Sequence, residues 1–164
     1  MTLALTNSYQ FRATATDTLG HKSAAVVSTQ SRMTLTDDTG AVVYAGSWSA
    51  QKSNPETAGT IGNTLHIGNG QPGKPSTATF TFTGTEAALV SSLGPDRGLV
   101  TISVDGGTAK TIDLYALSVQ KSTVIGSISG LTAGRHTLTV SAPGTKNASS
   151  TGTRVDVDAF VVKN

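Results

Sequence analysis

The chain has no cysteine. That removes disulfide frameworks, thiolate nucleophiles and cysteine-based metal sites together. Aromatic residues make up 5% and charged residues 13% of its 164 positions, and the net charge of +2 is scattered along the chain. Nothing here has the basic footprint of a nucleic-acid partner or of an anionic membrane surface. No apolar run reaches the length of a membrane span, so no membrane insertion is expected. The opening "MTLALTNSYQ" lacks the basic start and long apolar stretch of a signal peptide. Leu-rich helical stripes are also missing. What remains is Thr, Val, Ser and Ala in short alternating runs punctuated by 18 glycines. Such a pattern is the signature of antiparallel β-structure.

The first run is "SYQFRATATDTLGHKSAAVVST", residues 8–29. Tyr9, Phe11, Ala13 and Ala15 fall on one strand face, and Gln10, Arg12, Thr14 and Thr16 on the other. Asp17, Gly20 and His21 make the turn, and Ala24–Val27 begin the return strand. This hairpin resembles the last two strands of a fibronectin type III domain, with a Tyr-led strand entering a D-x-x-G-x-x-S turn. About 30 residues are too few for that domain, which needs about 100. Residues 1–30 are therefore expected to be a terminal hairpin or linker within a larger modular protein, and residues 31–164 a separate β-sandwich module.

Past a linker or first strand at residues 30–36, Val42–Tyr44 read as a short strand. Residues 49–76 are rich in Gly, Asn, Pro and Ser, and read as a long loop region with a short strand near Leu65–Ile67. "ATFTFTG" alternates strictly, with Ala78, Phe80 and Phe82 on one face. Ala87–Val90 start another strand, and Val100, Ile102 and Val104 alternate into Asp105-Gly106-Gly107. Asp-Gly between alternating runs is a hairpin signal, so Asp105 reads as a turn residue rather than a working carboxylate. Ile112 and Leu114, Val124–Ile128, Thr137–Val140 and Val155–Val162 supply further strands. The expected fold class is all-β, an antiparallel β-sandwich jelly roll with an N-terminal β-hairpin segment.

Residues 36–162 carry "YAGSW" (44–48), "ATFTFTGTEAALV" (78–90), "GLVTISVDGG" (98–107), "TIDLY" (111–115), "GLTAGRHTLTVSAPGTKN" (130–147) and "VDVDAFVV" (155–162). Together these resemble the galactose-binding-domain-like jelly rolls attached to secreted glycoside hydrolases, in the style of family 6 and 35 carbohydrate-binding modules. Similar jelly rolls occur in phage tail and adhesion proteins. The resemblance implies a non-catalytic module, extracellular, secreted or on a virion surface, that holds a larger protein at a polysaccharide. The alternative it leaves open is a structural or adhesion module of a surface fibre or phage tail, with assembly rather than sugar binding as its role and self-association as one expected partnership. A weaker third reading is an enzyme that uses residues 49–76 as an active-site wall. Many such modules carry "YSGG…Y" after the Trp motif. Here the stretch reads "ETAGTIGNTLHIG", with Gly59 but no aromatic, so a sugar platform there is reduced.

Four residues are candidates for touching a glycan. Trp48, the only Trp, either stacks on a pyranose ring or closes one end of the sandwich. Tyr115, in "DLYALSVQK", is placed for a loop tip. Arg97, in "GPDRG", either grips vicinal hydroxyls or a uronate, or forms a solvated loop pair with Asp96. Asn147 either offers its amide to a sugar or shapes a turn. The resemblance also implies a structural Ca2+ where the first and last strands meet, for which Asp37, Asp38, Asp156 and Asp158 are the candidate ligands. The competing reading is that these acids lie in turns or on outward strand positions. His21, His66 and His136 are isolated in sequence, and His136 heads a strand, where a structural hydrogen bond is expected. No G-x-S-x-G, H-E-x-x-H, P-loop or dinucleotide fingerprint is present. No cofactor is required by this reading.

Overall fold

The structure is a computed structural model and describes residues 8–164. The reading of the opening stretch as lacking a signal peptide falls mostly on residues outside that range. Thirteen strands are present, with one 3-10 turn at Ile61–Asn63 and no α-helix among the described residues.

A ribbon comes first. β1 (Ser8–Tyr9) pairs with the start of β4 (Ser31–Asp37), while β2 (Arg12–Ala13) pairs with β3 (Val26–Val27). Asp17 makes the ribbon's turn, its carboxylate accepting from the Leu19 and His21 N–H groups at 2.9 Å. Then follow β5 (Val42–Ala45), β6 (Trp48–Lys52) and β7 (Thr64–Gly68), so the stretch 49–76 is less of a loop than its composition suggests. Ser, Gly and Thr are tolerated in β6 and β7 because these strands form a short three-stranded sheet with β12 (Val155–Val157).

Two long strands organise the rest: β8 (Ser76–Leu93) and β11 (Gln120–Ala142), antiparallel along most of their length. The sequence suggests two strands in place of each. They are continuous because each bends from one layer to the other. On β8 the inward phase moves from Phe80 and Phe82 to Ala87 and Leu89, and the register between the strands shifts between Ser129 and Gly134 of β11. Gly84 marks the crossing. A Cβ there would lie 2.5 Å from the Lys163 carbonyl, so only glycine lets β8 pass.

The first half of β8 pairs with β5 and the second half with β13 (Ala159–Lys163). β9 (Leu99–Val104) joins the end of β11, and β10 (Lys110–Asp113) joins β9. Phe80, from the first half, stacks on Phe160 of β13 with ring centroids 4.4 Å apart, so the two layers face each other. Val100, Ile102, Leu138 and Val140 fill the remaining core as the alternation requires. The architecture is an all-β antiparallel sandwich. At the β9–β10 turn, Asp105 and Gly106 both have positive φ, 52° and 70°, as a tight hairpin turn demands.

Candidate functional site

At the end of the sandwich where β9 begins, several loops are tied to one another. Gly94 N–H donates to Leu114 C=O, Ala116 N–H to Gly94 C=O, Gly98 N–H to Arg154 C=O, and Leu99 N–H to Thr145 C=O. The Ser150 hydroxyl donates to the Arg97 carbonyl at 2.7 Å. Gly98 sits where a Cβ would lie 2.6 Å from the Thr153 carbonyl, which explains the glycine that follows Arg97. This close weave carries Arg97 inward.

Arg97 is 4% exposed, and a solvated loop pair with Asp96 is therefore not what the structure contains. Its Nε donates to Asp156 at 3.0 Å and its terminal nitrogen approaches the same carboxylate at 2.8 Å. Asp96 takes its other side. Arg154 Nε holds the second oxygen of Asp156 at 2.6 Å, and Arg154 also pairs with Glu56 at 2.8 Å. A chain of alternating charges results: Asp96, Arg97, Asp156, Arg154, Glu56. Its two ends are half-exposed and its middle is buried. Above it opens a cleft of about 250 Å³, lined by Glu56, Asp96, Arg97, Val119, Lys121 and Arg154. Lys121 fixes one wall by donating to the carbonyls of Pro55, Glu56 and Ala58 at 3.3, 2.8 and 2.9 Å.

Two more candidates come to this end. Tyr115 is half-buried, bridges to Gly94 through its backbone, and donates its N–H to Asp113 at 2.9 Å. Asn147 donates its amide to the other Asp113 oxygen at 2.7 Å and accepts the Ser149 N–H, as a turn residue does. Trp48 packs elsewhere. Its indole N–H donates to the carbonyls of Ala45 and Thr77 at 3.1 and 3.0 Å, and its ring meets Tyr44 edge-on and covers Gly68. It closes a corner of the core and has no donor left for a ligand. Glu56, Lys121 and Arg154 were not singled out from the sequence. Only Arg154 had a local signal, since it lies two residues before Asp156 on one strand face.

The four aspartates do not meet at one point. Asp156 belongs to the guanidinium chain just described. Asp37, Asp38 and Asp158 lie near the 60–64 turn instead, and Asp38, Asp156 and Asp158 are fully buried. Asp38 does lie in the turn after β4, as one reading expected, but the outward placement is corrected, since Asp38, Asp156 and Asp158 all face inward. Burial is possible because protein donors meet the carboxylates. Asp38 accepts from the Thr64 hydroxyl and faces His66 Nδ1 at 2.5 Å; Asp158 accepts from the Ile61 N–H and the Ser122 hydroxyl, each at 2.8 Å. Among the described residues no three His, Asp or Glu are arranged to hold a metal ion. The four residues do not fit a single Ca2+ site.

Burial pushes the Asp38 carboxyl up to about 6, with Asp37 adding to the rise and Thr64 and His66 opposing it. Asp158 is raised for the same first reason, burial. A carboxyl with a raised folded pKa holds its proton more tightly when folded. The Asp38 contribution to stability is therefore full below about pH 3.8 and is lost as pH rises through about 6. A rise of that size is worth about 3 kcal/mol. Asp38→Asn keeps an acceptor for Thr64 and cannot ionise. It should flatten the fall in urea midpoint between pH 4 and pH 7, and an unchanged slope would show that Asp38 titrates normally. His66 stacks on Tyr44 at 3.9 Å beside this carboxyl, so the cluster also pins β7 to β5.

At the far end of β9, His136 Nδ1 faces Asp105 at 2.6 Å and Nε2 faces the Thr132 carbonyl at 2.8 Å. Hydrogen bonding to Asp105, then to Thr132, raises the His136 pKa, while hydrogen bonding from His136, then from the Thr137 N–H, lowers that of Asp105. The pair is the structural role expected for His136. It ties the β9–β10 turn to β11.

No protein-family model matches the chain. No curated protein sequence matches it either. Solved structures do. A family 35 carbohydrate-binding module from Clostridium thermocellum aligns with a TM-score of 0.53 at 18% identity, covering 79% of this chain and 98% of that one. A two-domain esterase active on acetylated mannans aligns at 0.54 and 13% identity, over 82% of this chain and 36% of the esterase. An exo-β-1,3-galactanase from Phanerochaete chrysosporium aligns at 0.51 and 18% identity, over 84% and 30%. The chain thus spans about a third of the length of these two enzymes. The likeness is one of fold: an antiparallel β-sandwich of the kind that the family 35 module also builds.

Proposed function

We propose that this protein is a non-catalytic carbohydrate-binding module, and that the cleft over the Asp96–Arg97–Asp156–Arg154–Glu56 chain receives the glycan. The observation that carries the reading is this cleft. Its buried centre fixes the outer carboxylates and guanidinium groups, so hydroxyl-directed hydrogen bonds need little side-chain ordering. Tyr115, on the loop bridged to Gly94, supplies aromatic surface at the same end of the sandwich. The family 35 module and the two carbohydrate-active enzymes that share the fold support the class of ligand. One shallow site of this kind binds in the micromolar-to-millimolar range, about −8 to −4 kcal/mol. Its use is to hold a larger extracellular protein at a polysaccharide, where effective concentration does the rest.

The test is affinity electrophoresis through a panel of soluble polysaccharides, with Ca2+ and with a chelator. Wild-type protein should be retarded by one glycan class. Tyr115→Ala and Glu56→Gln should lose most of that retardation. Trp48 emission should already be blue-shifted and should not move on binding. Retardation abolished by the chelator would give an ion a part that the described carboxylates do not account for. No retardation in any gel would overturn the reading in favour of an assembly or adhesion role.

A further inference from the structure

The ribbon built from β2 and β3 has no support from the sandwich. Of residues 10–30, all but Ala25 are exposed. Yet one of its faces is apolar. Ala13 stands opposite Val26, and Phe11 and Ala15 lie two residues either way on the same face. Phe11 is 55% and Val26 74% exposed. Two strands alone are marginally stable in water and need a third surface.

The sandwich offers such a surface. On the outward side of β4, β13, β8 and β11, register places Leu35, Val161 and Ala88 in one row and Val90 beside Val124 in the next. With Met33 these residues line a groove of about 350 Å³. Ala88 and Val90 are buried at its floor, and Met33 and Val124 stand exposed at its sides. Its charges are confined to one end, where Glu86 and Lys163 lie opposite each other. No aromatic residue is present for a sugar to stack on. Between these charges and its serines, Ser122 and Ser127, the groove is mainly aliphatic, and the ribbon face of Phe11, Ala13, Ala15 and Val26 is apolar and uncharged.

We propose that the ribbon of one copy docks in this groove of a second copy, and that two chains exchange ribbons as a symmetric dimer. One chain carries both halves of the contact and leaves its own ribbon unsupported. The ribbon leads directly into β4, which forms a wall of the groove, so two copies related by a twofold axis beside β4 can each reach the other. Residues 10–16 extend about 23 Å at about 3.3 Å per residue, and a face about 10 Å wide covers roughly 230 Å². Reciprocal docking involves four such faces, roughly 900 Å², just under the ~1,000 Å² that marks a specific interface. The dimer is accordingly weak and reversible. It is independent of the glycan cleft, whose residues it does not use.

Sedimentation velocity up to about 100 µM decides the matter. Wild-type protein should pass from monomer to dimer over that range. Phe11→Ser with Val26→Ser removes the ribbon face, and Val124→Lys puts a charge in the groove. Each should weaken association at least about tenfold. All three positions are exposed, and unchanged thermal melts confirm that the variants fold. Wild-type protein that stays monomeric throughout overturns the proposal. So does a dimer that survives either variant, because ribbon-to-ribbon packing would survive Val124→Lys and groove-to-groove packing would survive the ribbon variant.

Discussion

Arg97→Ala should lower the folding free energy by about 3–5 kcal/mol, one of the largest effects of any single substitution in this chain. The reason is the state it leaves behind. Asp156 has no exposure to water, and Arg97 supplies two of the donors on its carboxylate. Without them one oxygen is left with no partner. Arg154 holds only the other oxygen, at 2.6 Å. The backbone hydrogen bonds of Arg97 to Gly94 and Ser150 survive in alanine, so the cost is that of the lost guanidinium. Arg97→Lys keeps the charge but cannot make the forked contact, and should fall between alanine and wild type.

Urea unfolding checks this directly. The midpoint should drop with little change in slope, as expected for lost stability rather than a changed unfolded state. A cycle with Asp156→Ala sharpens it. If the cost belongs to the stranded carboxylate, removing Arg97 should cost far less once Asp156 is already alanine. An Arg97→Ala loss below about 1 kcal/mol would mean that water or Lys121 takes over the pairing, and the cleft floor would then be less rigid than its geometry implies.

The same residues show where local pattern stops being informative. "ATFTFTG" and "LVTISV" were legible because each has one buried and one wet face, and Asp105-Gly106 because a tight turn needs positive φ. The continuity of β8 and β11 was not. Gly84 and the stretch 129–134 look like breaks, yet they are the places where a strand crosses between layers and needs a missing Cβ or a register shift. The buried acids were least legible of all. "VDVDAF" alternates, and alternation assigns the polar residues to solvent. In the fold, residues 155–160 are buried on both sides, and each acid finds donors distant in sequence: Arg97 for Asp156, and Ile61 and Ser122 for Asp158. No local spacing encodes those partners. Arg97 stands out in the sequence for its chemistry, but its inward turn depends on Gly98, Thr145 and Thr153 meeting at one place.

Phe160→Ala should match the Arg97 effect by a different route, with a loss of about 3–5 kcal/mol. Phe160 has no exposed surface and lies almost parallel to Phe80, at 15° and 4.4 Å. Phe80 in turn stacks on Phe82 at 5.9 Å, so one short aromatic column joins β8 of one layer to β13 of the other. Much of the surrounding core is Val and Ala, which are too short to swing into the space a ring vacates. The cavity therefore stays open, and its cost adds to the lost transfer energy. Phe160→Leu keeps much of the volume and should cost less than half as much. For a domain of this size each kcal/mol shifts the melting temperature by about 2–4 °C, so calorimetry should show a drop of roughly 6–20 °C for alanine. A drop under about 2 °C would mean that the layers close over the gap. The column would then be filler, and the joint between the layers would rest on the paired strands alone.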